Sequence, residues 1–387
     1  MTKLIIKITY IQITFFLTMI LLFLPMGLIY ASGKSDFIMK MVYFVQLFVY
    51  SLNILLCITN GGFKLKTSTK LYTIWGILLI VTTFLVEKNI HTIFRAVVYI
   101  MGAVSLIISI QYMVIHQRKD IFNMMFLIFT FFSILNTLSV LLFTDGLYNY
   151  SWQGATYWFG GKFTVFYMYY TWAALYFLKK RKINLFEWII LFAIGMFLCI
   201  RVDCSTGIAC LLATCLLISF KKALQNIQPS LIIFSLIGIV IIMTSSNIFF
   251  ENQYIQYVIT EVLHRSSLMT GRVDIYTNFT EIMKGHWIIG AGYDNTLVKD
   301  ATLKGYLNAQ NGILNTITQT GLIGATIFLI TVYKFLKEGK KYLKQSENTI
   351  IFIFLLGLFI CSIVEISFNY YFLILLSLFS NNLSETS

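Results

Sequence analysis

Charge is what this sequence has least of. Of its 387 residues only 12% are Asp, Glu, Lys or Arg, about half the ~25% usual in soluble domains. So few charges cannot coat a water-facing surface when 58% of the chain is hydrophobic. A soluble globule of this length is excluded, and so are disorder, collagen-like repeats and disulfide scaffolds. Histidine is sparse: His91, His116, His264 and His286 are scattered and form no metal-ligand spacing. The six cysteines, Cys57, Cys199, Cys204, Cys210, Cys215 and Cys361, have no CxxC spacing and fall mostly in apolar runs. They read as small packing residues, with no metal and no cofactor expected. Proline is nearly absent, with two residues. Together with abundant Ile, Lys, Asn and Phe, this composition suggests an AT-rich bacterial genome.

What charge there is has a sign, 29 Lys/Arg against 16 Asp/Glu. No basic cluster is both long and outside a short loop, so nucleic acid is not the expected partner. The lipid bilayer is. Apolar runs of membrane-crossing length lie near 8–30, 37–59, 71–86, 93–115, 121–143, 162–178, 183–201, 204–220, 230–247, 312–333, 348–364 and 366–381. The fold class read from this is all-α, a polytopic integral membrane protein of 11–12 transmembrane helices. The runs 183–220 and 348–381 are each split only by a tight polar tip, which keeps eleven spans open. The first run, Ile8 to Tyr30, has 23 residues, too many for the roughly 7–15 of a cleaved signal's apolar region.

Loop charges test the segmentation. With the N-terminus cytoplasmic, the cytoplasmic segments hold 18 basic residues and the short outer loops six: Lys34, Lys40, Lys88, Arg95, Lys162 and Arg201. That three-to-one bias follows the positive-inside rule through every alternation. Three regions result: helices one to nine over 1–247, a large outer loop over 248–307, and the last helices with a short tail over 308–387. In the large loop five basic residues nearly balance six acidic ones. It keeps two helical stripes, Ile255/Val258/Ile259/Val262 and Tyr276/Phe279/Met283, which suggest short helices on or in the outer leaflet. Long loops of this kind tend to be functional. The outer loop 144–161 is rich in Gly and aromatics (Trp152, Tyr157, Trp158), as membrane-interface anchors are.

Ionisable groups at membrane depth need a reason, and they single out four places. In Arg201-Val-Asp203-Cys-Ser205-Thr206-Gly207 the tip of a hairpin lies near headgroup level. Arg201 either snorkels beside Asp203 or faces a polar cavity, with Ser205 or Thr206 capping the next helix. In His264-Arg265…Gly271-Arg272, two guanidinium groups suit bidentate phosphate recognition. In Trp287-Ile-Ile-Gly290-Ala-Gly292-Tyr293 the glycines suggest a tight turn with exposed N–H groups. It lacks the strand–loop–helix context of a nucleotide site. In Gln310-Asn311-Gly312, followed by Gly321-Leu-Ile-Gly324, Asn311 or Asn308 suits a helix cap and the glycine pair suits close helix packing. Glu365, between the last two apolar runs, is a buried-charge candidate expected to pair with an Arg.

The order of these motifs resembles a known family. Thr270-Gly271-Arg272, Ile288-Ile289-Gly290-Ala-Gly292-Tyr293, Gln310-Asn311-Gly and Thr320-Gly321-Leu322-Ile323-Gly324 are similar to the run in Wzy-type polysaccharide polymerases and related O-antigen ligases. Those proteins have ten to fourteen spans and one large outer loop late in the chain. Gln310 stands where many members, the ligases especially, have His, so the resemblance leans to a polymerase. It implies a metal-independent transfer at the outer face of the bacterial cytoplasmic membrane. A hydroxyl of one undecaprenyl-pyrophosphate-linked oligosaccharide attacks the anomeric carbon of another, and lipid pyrophosphate leaves. The leaving group needs positive charge, and Arg265, Arg272 and then Arg201 are the candidates. Asp203, Glu261, Glu365 and His264 are candidate bases. His264, Gly290, Gly292, Tyr293, Gln310 and Asn311 are the expected substrate-binding residues. A chain-length regulator and a flippase of the same pathway are the implied partners. The alternatives are a ligase-type transferase and a lipid-linked oligosaccharide flippase. The nearly charge-free spans disfavour the flippase. A metal-dependent transferase would need paired acids in the first outer loop, where only Asp36 stands.

Overall fold

The apolar runs fold as helices in a computed structural model that describes residues 2–32, 35–60, 64–87, 89–150, 154–245, 272–302 and 306–383. The first half of the bundle contains α1 (Thr2–Leu22), α2 (Met26–Ala31), α3 (Ser35–Thr59), α4 (Thr67–Val86), α5 (Ile90–Ile115) and α6 (Lys119–Leu142). After a hairpin come α7 (Lys162–Lys180), α8 (Leu185–Arg201), α9 (Ser205–Ser219), α10 (Lys221–Leu224) and α11 (Pro229–Thr244). The remainder contains α12 (Arg272–Thr277), α13 (Phe279–Ile282), α14 (Leu297–Ala301), α15 (Gly312–Lys340), α16 (Ser346–Ser362) and α17 (Tyr370–Phe379).

A helix occupies each predicted run. Five of them, α3 to α6 and α15, are long and apolar enough to cross a membrane, as a multi-pass membrane protein requires. Large apolar side chains stand outward on these helices; Phe44 and Phe48 of α3 are 66% and 69% exposed. A soluble monomer rarely tolerates such faces, whereas lipid solvates them. α17 has ten residues, about 15 Å of helix, which is half of a hydrocarbon core. α16 and α17 are apolar on all sides and almost wholly buried, as helices without a polar face are. α16 packs on α7, α9 and α17, and α17 on α5 and α15.

Several boundaries differ from the sequence reading. The first run stops as a helix at Leu22, because Pro25 lacks an N–H and forces the residue before it out of helical geometry. Loop 144–161 contains an antiparallel hairpin, β1 (Tyr148–Tyr150) and β2 (Gly154–Thr156), the one departure from all-α among the described residues. Its Tyr157 is buried rather than anchored at an interface, Trp158 is half-buried, and Trp152 lies outside the described residues. Gly27 N donates to Trp158 O at 2.9 Å, and any Cβ on Gly27 would strike Tyr157 O. The stripe Tyr276/Phe279/Met283 is also buried. It packs into the protein, with α12 against α11 and Phe279 edge-on to Trp287, instead of lying on lipid. The stripe 255–262 lies outside the described residues. All six cysteines are free, five of them buried.

Polar bonds tie the basic segments together at one end of the bundle. Lys66 Nζ donates to Ser380 O at 2.7 Å and to Asn381 Oδ1 at 2.6 Å. Ser68 Oγ donates to Glu338 at 2.6 Å, and Lys340 donates to Gln228. α4 and α15 therefore run antiparallel, and the far end of each faces the loop 287–311.

There α15 is broken at Gly321, whose φ of +64° is left-handed, and the chain from Trp287 to Gly292 is spliced into the break. Thr318 O and Gln319 O, which a continuous helix would offer to Leu322 and Ile323, accept from Ala291 N at 2.8 Å and Gly292 N at 2.9 Å. Leu322 N and Ile323 N donate instead to Trp287 O at 2.8 Å and Ile288 O at 3.3 Å. Every backbone group freed by the kink is satisfied, as membrane depth demands. The two backbones pass so close that a Cβ on Gly290 would lie 2.5 Å from Gly321 N, and one on Gly321 would lie 2.2 Å from Ile288 O. Gly321→Ala therefore combines a left-handed strain of about 1–3 kcal/mol with a backbone clash. We expect it to lower the thermal midpoint of the purified protein well below that of Gly238→Ala in α11, where an added Cβ meets nothing within 4 Å. Equal midpoints for the two variants would refute the splice as a source of stability.

Candidate functional site

The link between α16 and α17, residues 363–369, places Glu365 inside the bundle at 5% exposure. Its Oε1 accepts the N–H of Ile366 at 3.1 Å, and its Oε2 meets Arg272 Nη2 at 3.2 Å. Arg272 opens α12 and also donates to Gln310 Oε1, from Nε at 3.4 Å and Nη2 at 3.3 Å. Gln310 is held from both sides. Its Nε2 and its backbone N donate to Asn308 Oδ1 at 2.7 and 3.0 Å, while its own carbonyl accepts from Tyr276 Oη at 2.9 Å. Its backbone is left-handed, φ +49°. Asn311 then caps α15, Oδ1 accepting from Ile313 N and Leu314 N. Asn311 Nδ2 reaches across to Ile363 O at 2.8 Å and fastens the helix start to the link.

Burial pushes the Glu365 carboxyl above its usual range, because desolvation disfavours the charged form. The charges of Arg272 and Lys162 pull it part of the way back. Lys162, at the start of α7, also donates to Asp203 O at 3.1 Å, which brings the α8–α9 tip to this side of the bundle. Arg201 and Asp203 are both exposed there. Neither forms an ion pair among the described residues, so of the two readings of Arg201 the one that pairs it with its neighbour Asp203 is not met. Asp203 has a left-handed φ of +52°, and the turn closes through backbone bonds, Cys204 N to Cys199 O at 2.8 Å. Cys204 is the N-cap of α9, and neither Ser205 nor Thr206 caps it.

Beside the Arg272–Glu365 pair lies a cavity of about 420 Å³, within the roughly 300–1,000 Å³ of small-molecule sites. Aromatic rings of Trp75, Tyr99, Tyr293, Phe328 and Phe368 wall it, and the amides Asn308, Asn315, Gln319 and Asn369 line it. Tyr99 and Tyr293 stack at 5.4 Å. Arg95 and Asp294, an ion pair at 2.7 Å with side chains 34% and 53% exposed, stand at its mouth. Asn308 belongs to both places: it lines the cavity and holds Gln310.

Arg272, Glu365, Gln310 and Asn311 thus converge from three segments of the chain, and Tyr293 faces the neighbouring cavity. Gly290 and Gly292 serve the splice into α15, so the N–H groups expected to be exposed are used. Arg265, His264 and Glu261 lie outside the described residues. Sequence reasoning passed over Arg95, Trp75, Tyr99 and the Asn315/Gln319 pair. The last was legible, two amides four residues apart among apolar and threonine side chains at the start of a helix. Arg95 counted only as a loop charge. Among the described residues no group of three His, Cys, Asp or Glu side chains could hold a metal ion.

No protein-family model matches the chain, and no curated protein matches it.

A carboxyl whose native value is raised holds its proton longer folded than unfolded. Its contribution to stability is therefore complete in acid and is lost as pH rises through the raised native value. Glu365→Gln should flatten that part of the thermal midpoint's pH profile. Arg272→Ala should move the loss to higher pH, since the counter-charge is gone. Superimposable profiles for wild type and both variants would contradict the assignment.

Proposed function

We propose that the chain is a multi-pass protein of the bacterial cytoplasmic membrane that polymerises lipid-pyrophosphate-linked oligosaccharide repeat units into a surface polysaccharide at the outer face. One observation carries this reading. The Arg272, Gln310 and Glu365 side chains, from separate motifs, meet in a cluster in which Glu365 is buried and the other two are half-buried, beside an aromatic, amide-lined cavity. Rings that stack on sugar faces next to a guanidinium suited to phosphate are what a glycosyl pyrophosphate substrate needs.

In this mechanism Arg272 faces the leaving pyrophosphate. It spends Nε and Nη2 on Gln310 and Glu365, and its Nη1 has no hydrogen-bond partner among the described residues. A second lipid-linked unit brings a sugar hydroxyl to the anomeric carbon. As the new C–O bond forms, the old C–O bond to pyrophosphate breaks, the electron pair leaving with the phosphate oxygen. Glu365 takes the hydroxyl proton. Burial raises its carboxyl toward working pH, which suits a general base. Arg272 both keeps Glu365 ionised and stabilises the charge that develops on the leaving group, before reaction and without reorganisation. The Gln310–Asn308 bonds fix the guanidinium plane. The basic segments face the cytoplasm under the positive-inside rule, and the cavity opens outward. A flippase that delivers the lipid-linked units and a chain-length regulator are the partners this activity requires.

In a deletion strain, long polymer should disappear and single repeat units should accumulate on the outer-leaflet lipid. Arg272→Ala and Glu365→Gln should each give the same loss, by about a hundredfold or more, with the protein still in the membrane. Arg272→Lys should rescue poorly, since a point charge replaces a fork. Units trapped on the inner leaflet would identify a flippase. Finished polymer left on its lipid would identify a ligase.

A further inference from the structure

Four of the six cysteines sit close together. Cys199 is in the last turn of α8, Cys204 caps α9, Cys210 lies on α9 and Cys361 on α16, and all four are buried. Cys210 and Cys361 meet within their helices, and Cys361 Sγ already donates to Thr206 O at 3.9 Å. Cys199 and Cys204 meet at the α8–α9 tip, where the backbone fixes their relation.

Asp203, with its left-handed φ of +52°, ends α8. Asp203 N donates to Ile200 O at 3.2 Å, and Cys204 N donates to Cys199 O at 2.8 Å. These two nested bonds are a Schellman termination, in which the first and last residues of the motif bring their side chains into contact. That contact is ordinarily hydrophobic. Here both members are cysteine, and the two thiols interact directly. With standard bond lengths, the 2.8 Å bond holds the two Cα atoms within about 6.7 Å, inside the roughly 4.4–6.8 Å that a disulfide spans. A Cβ on Gly207 would lie 2.7 Å from Cys199 Sγ. Glycine there is what admits this thiol to the first turn of α9, the turn that Cys204 caps.

The tip also offers a route in and a favourable charge. Arg201, Asp203 and Ser205 are exposed around the pair, so a small reagent reaches it once the tip frays. A thiolate is the nucleophile in disulfide exchange. Free N–H groups at the start of the fifteen-residue α9 favour negative charge at its cap, and so does Lys162, which donates to Asp203 O at 3.1 Å.

We propose that Cys199 and Cys204 are a redox-active dithiol that closes reversibly into a disulfide across the α8–α9 tip. The Cys204 thiolate attacks one sulfur of a small exogenous disulfide, forms a mixed disulfide and releases one thiolate. Cys199, giving up its proton, then attacks the Cys204 sulfur and releases the second. Two protein thiols are oxidised, the reagent is reduced to two thiols, and the two protons pass to them. The bond staples the Asp203 turn, and with it the carbonyl gripped by Lys162, whose charge acts on Glu365. The inference stands independently of what the chain transfers.

The test equilibrates the full-length protein in nanodiscs with mixtures of reduced and oxidised glutathione. Acid quenches the exchange, remaining thiols are alkylated in denaturant, and trypsin follows. Trypsin cuts after Arg201, between the two cysteines, so their bond leaves peptides 183–201 and 202–221 joined until reduction. Wild type should pass from separate to joined peptides as the mixture becomes oxidising, and back again on reduction. Fragmentation of the joined species should place the bond at Cys199 and Cys204, a readout that needs no variant. Cys199→Ala and Cys204→Ala should each abolish it, and Cys210→Ala should leave it intact. Peptides that stay separate in every mixture, glutathione that persists on Cys204, or a bond placed on Cys210, Cys215 or Cys361 would overturn the proposal. So would joined peptides that survive in Cys204→Ala.

Discussion

A carboxylate sealed among apolar helices costs several kcal/mol unless it is paired and hydrogen-bonded, and Glu365 is such a carboxylate. Much of the surrounding architecture answers that constraint. Arg272 supplies the counter-charge, Ile366 N fills one lone pair, and Gln310 holds the guanidinium in place. Asn308, Tyr276 and Asn311 in turn fix Gln310 and the helix start behind it. Removing one member would leave another buried and unsatisfied, so the cluster behaves as a unit. The same burial that makes the pair expensive raises the carboxyl and strengthens the field on anything bound beside it.

The cluster needs a rigid frame, and the splice at Gly321 supplies it. A continuous α15 would satisfy its own backbone but leave the 287–292 segment without partners. Breaking the helix exchanges two intrahelical bonds for four between segments and locks the loop to α15. Tyr293 N, one residue on, donates to Thr83 Oγ1 at 2.9 Å and joins the same loop to α4. The cavity wall contributed by Tyr293 and Asp294 is therefore held by backbone geometry as well as by side-chain packing. At the opposite end Lys66, Ser68 and Asn348 bind α4, α15, α16 and α17 together.

The short α17 leaves room for a polar link inside the bundle. Starting from Ser380 beside Lys66, ten residues rise only about 15 Å. The chain must then continue to α16 through a non-helical link. Irregular backbone among apolar helices is tolerated where it lines a cavity or is buried in protein, and residues 363–369 do both. Ile366, Phe368 and Asn369 line the cavity, while Glu365 turns to Arg272. The half-length helix is what makes room for the site.

The helices were legible because the signal is local: long apolar runs, charged punctuation and the sign of loop charges need no tertiary information. Asn311 as a cap and Glu365 as a buried acid in search of an Arg were legible for the same reason, the first from residue type beside an apolar run and the second from the cost of a charge at membrane depth. Sequence could not say which Arg, because 93 positions separate Arg272 from Glu365 and only packing brings them together. Nor could it say that Gly290 and Gly321 face each other, since each alone reads as a turn or a packing glycine. Arg95 and Trp75 carried no local mark of function. A loop cation and an aromatic in an apolar run are ordinary until the neighbours that pair one with Asp294 and set the other in a cavity wall are in place. Composition and periodicity determined that the chain would form apolar helices. Desolvation, which acts on groups only once they are enclosed together, decided in the tertiary structure where the chemistry could be.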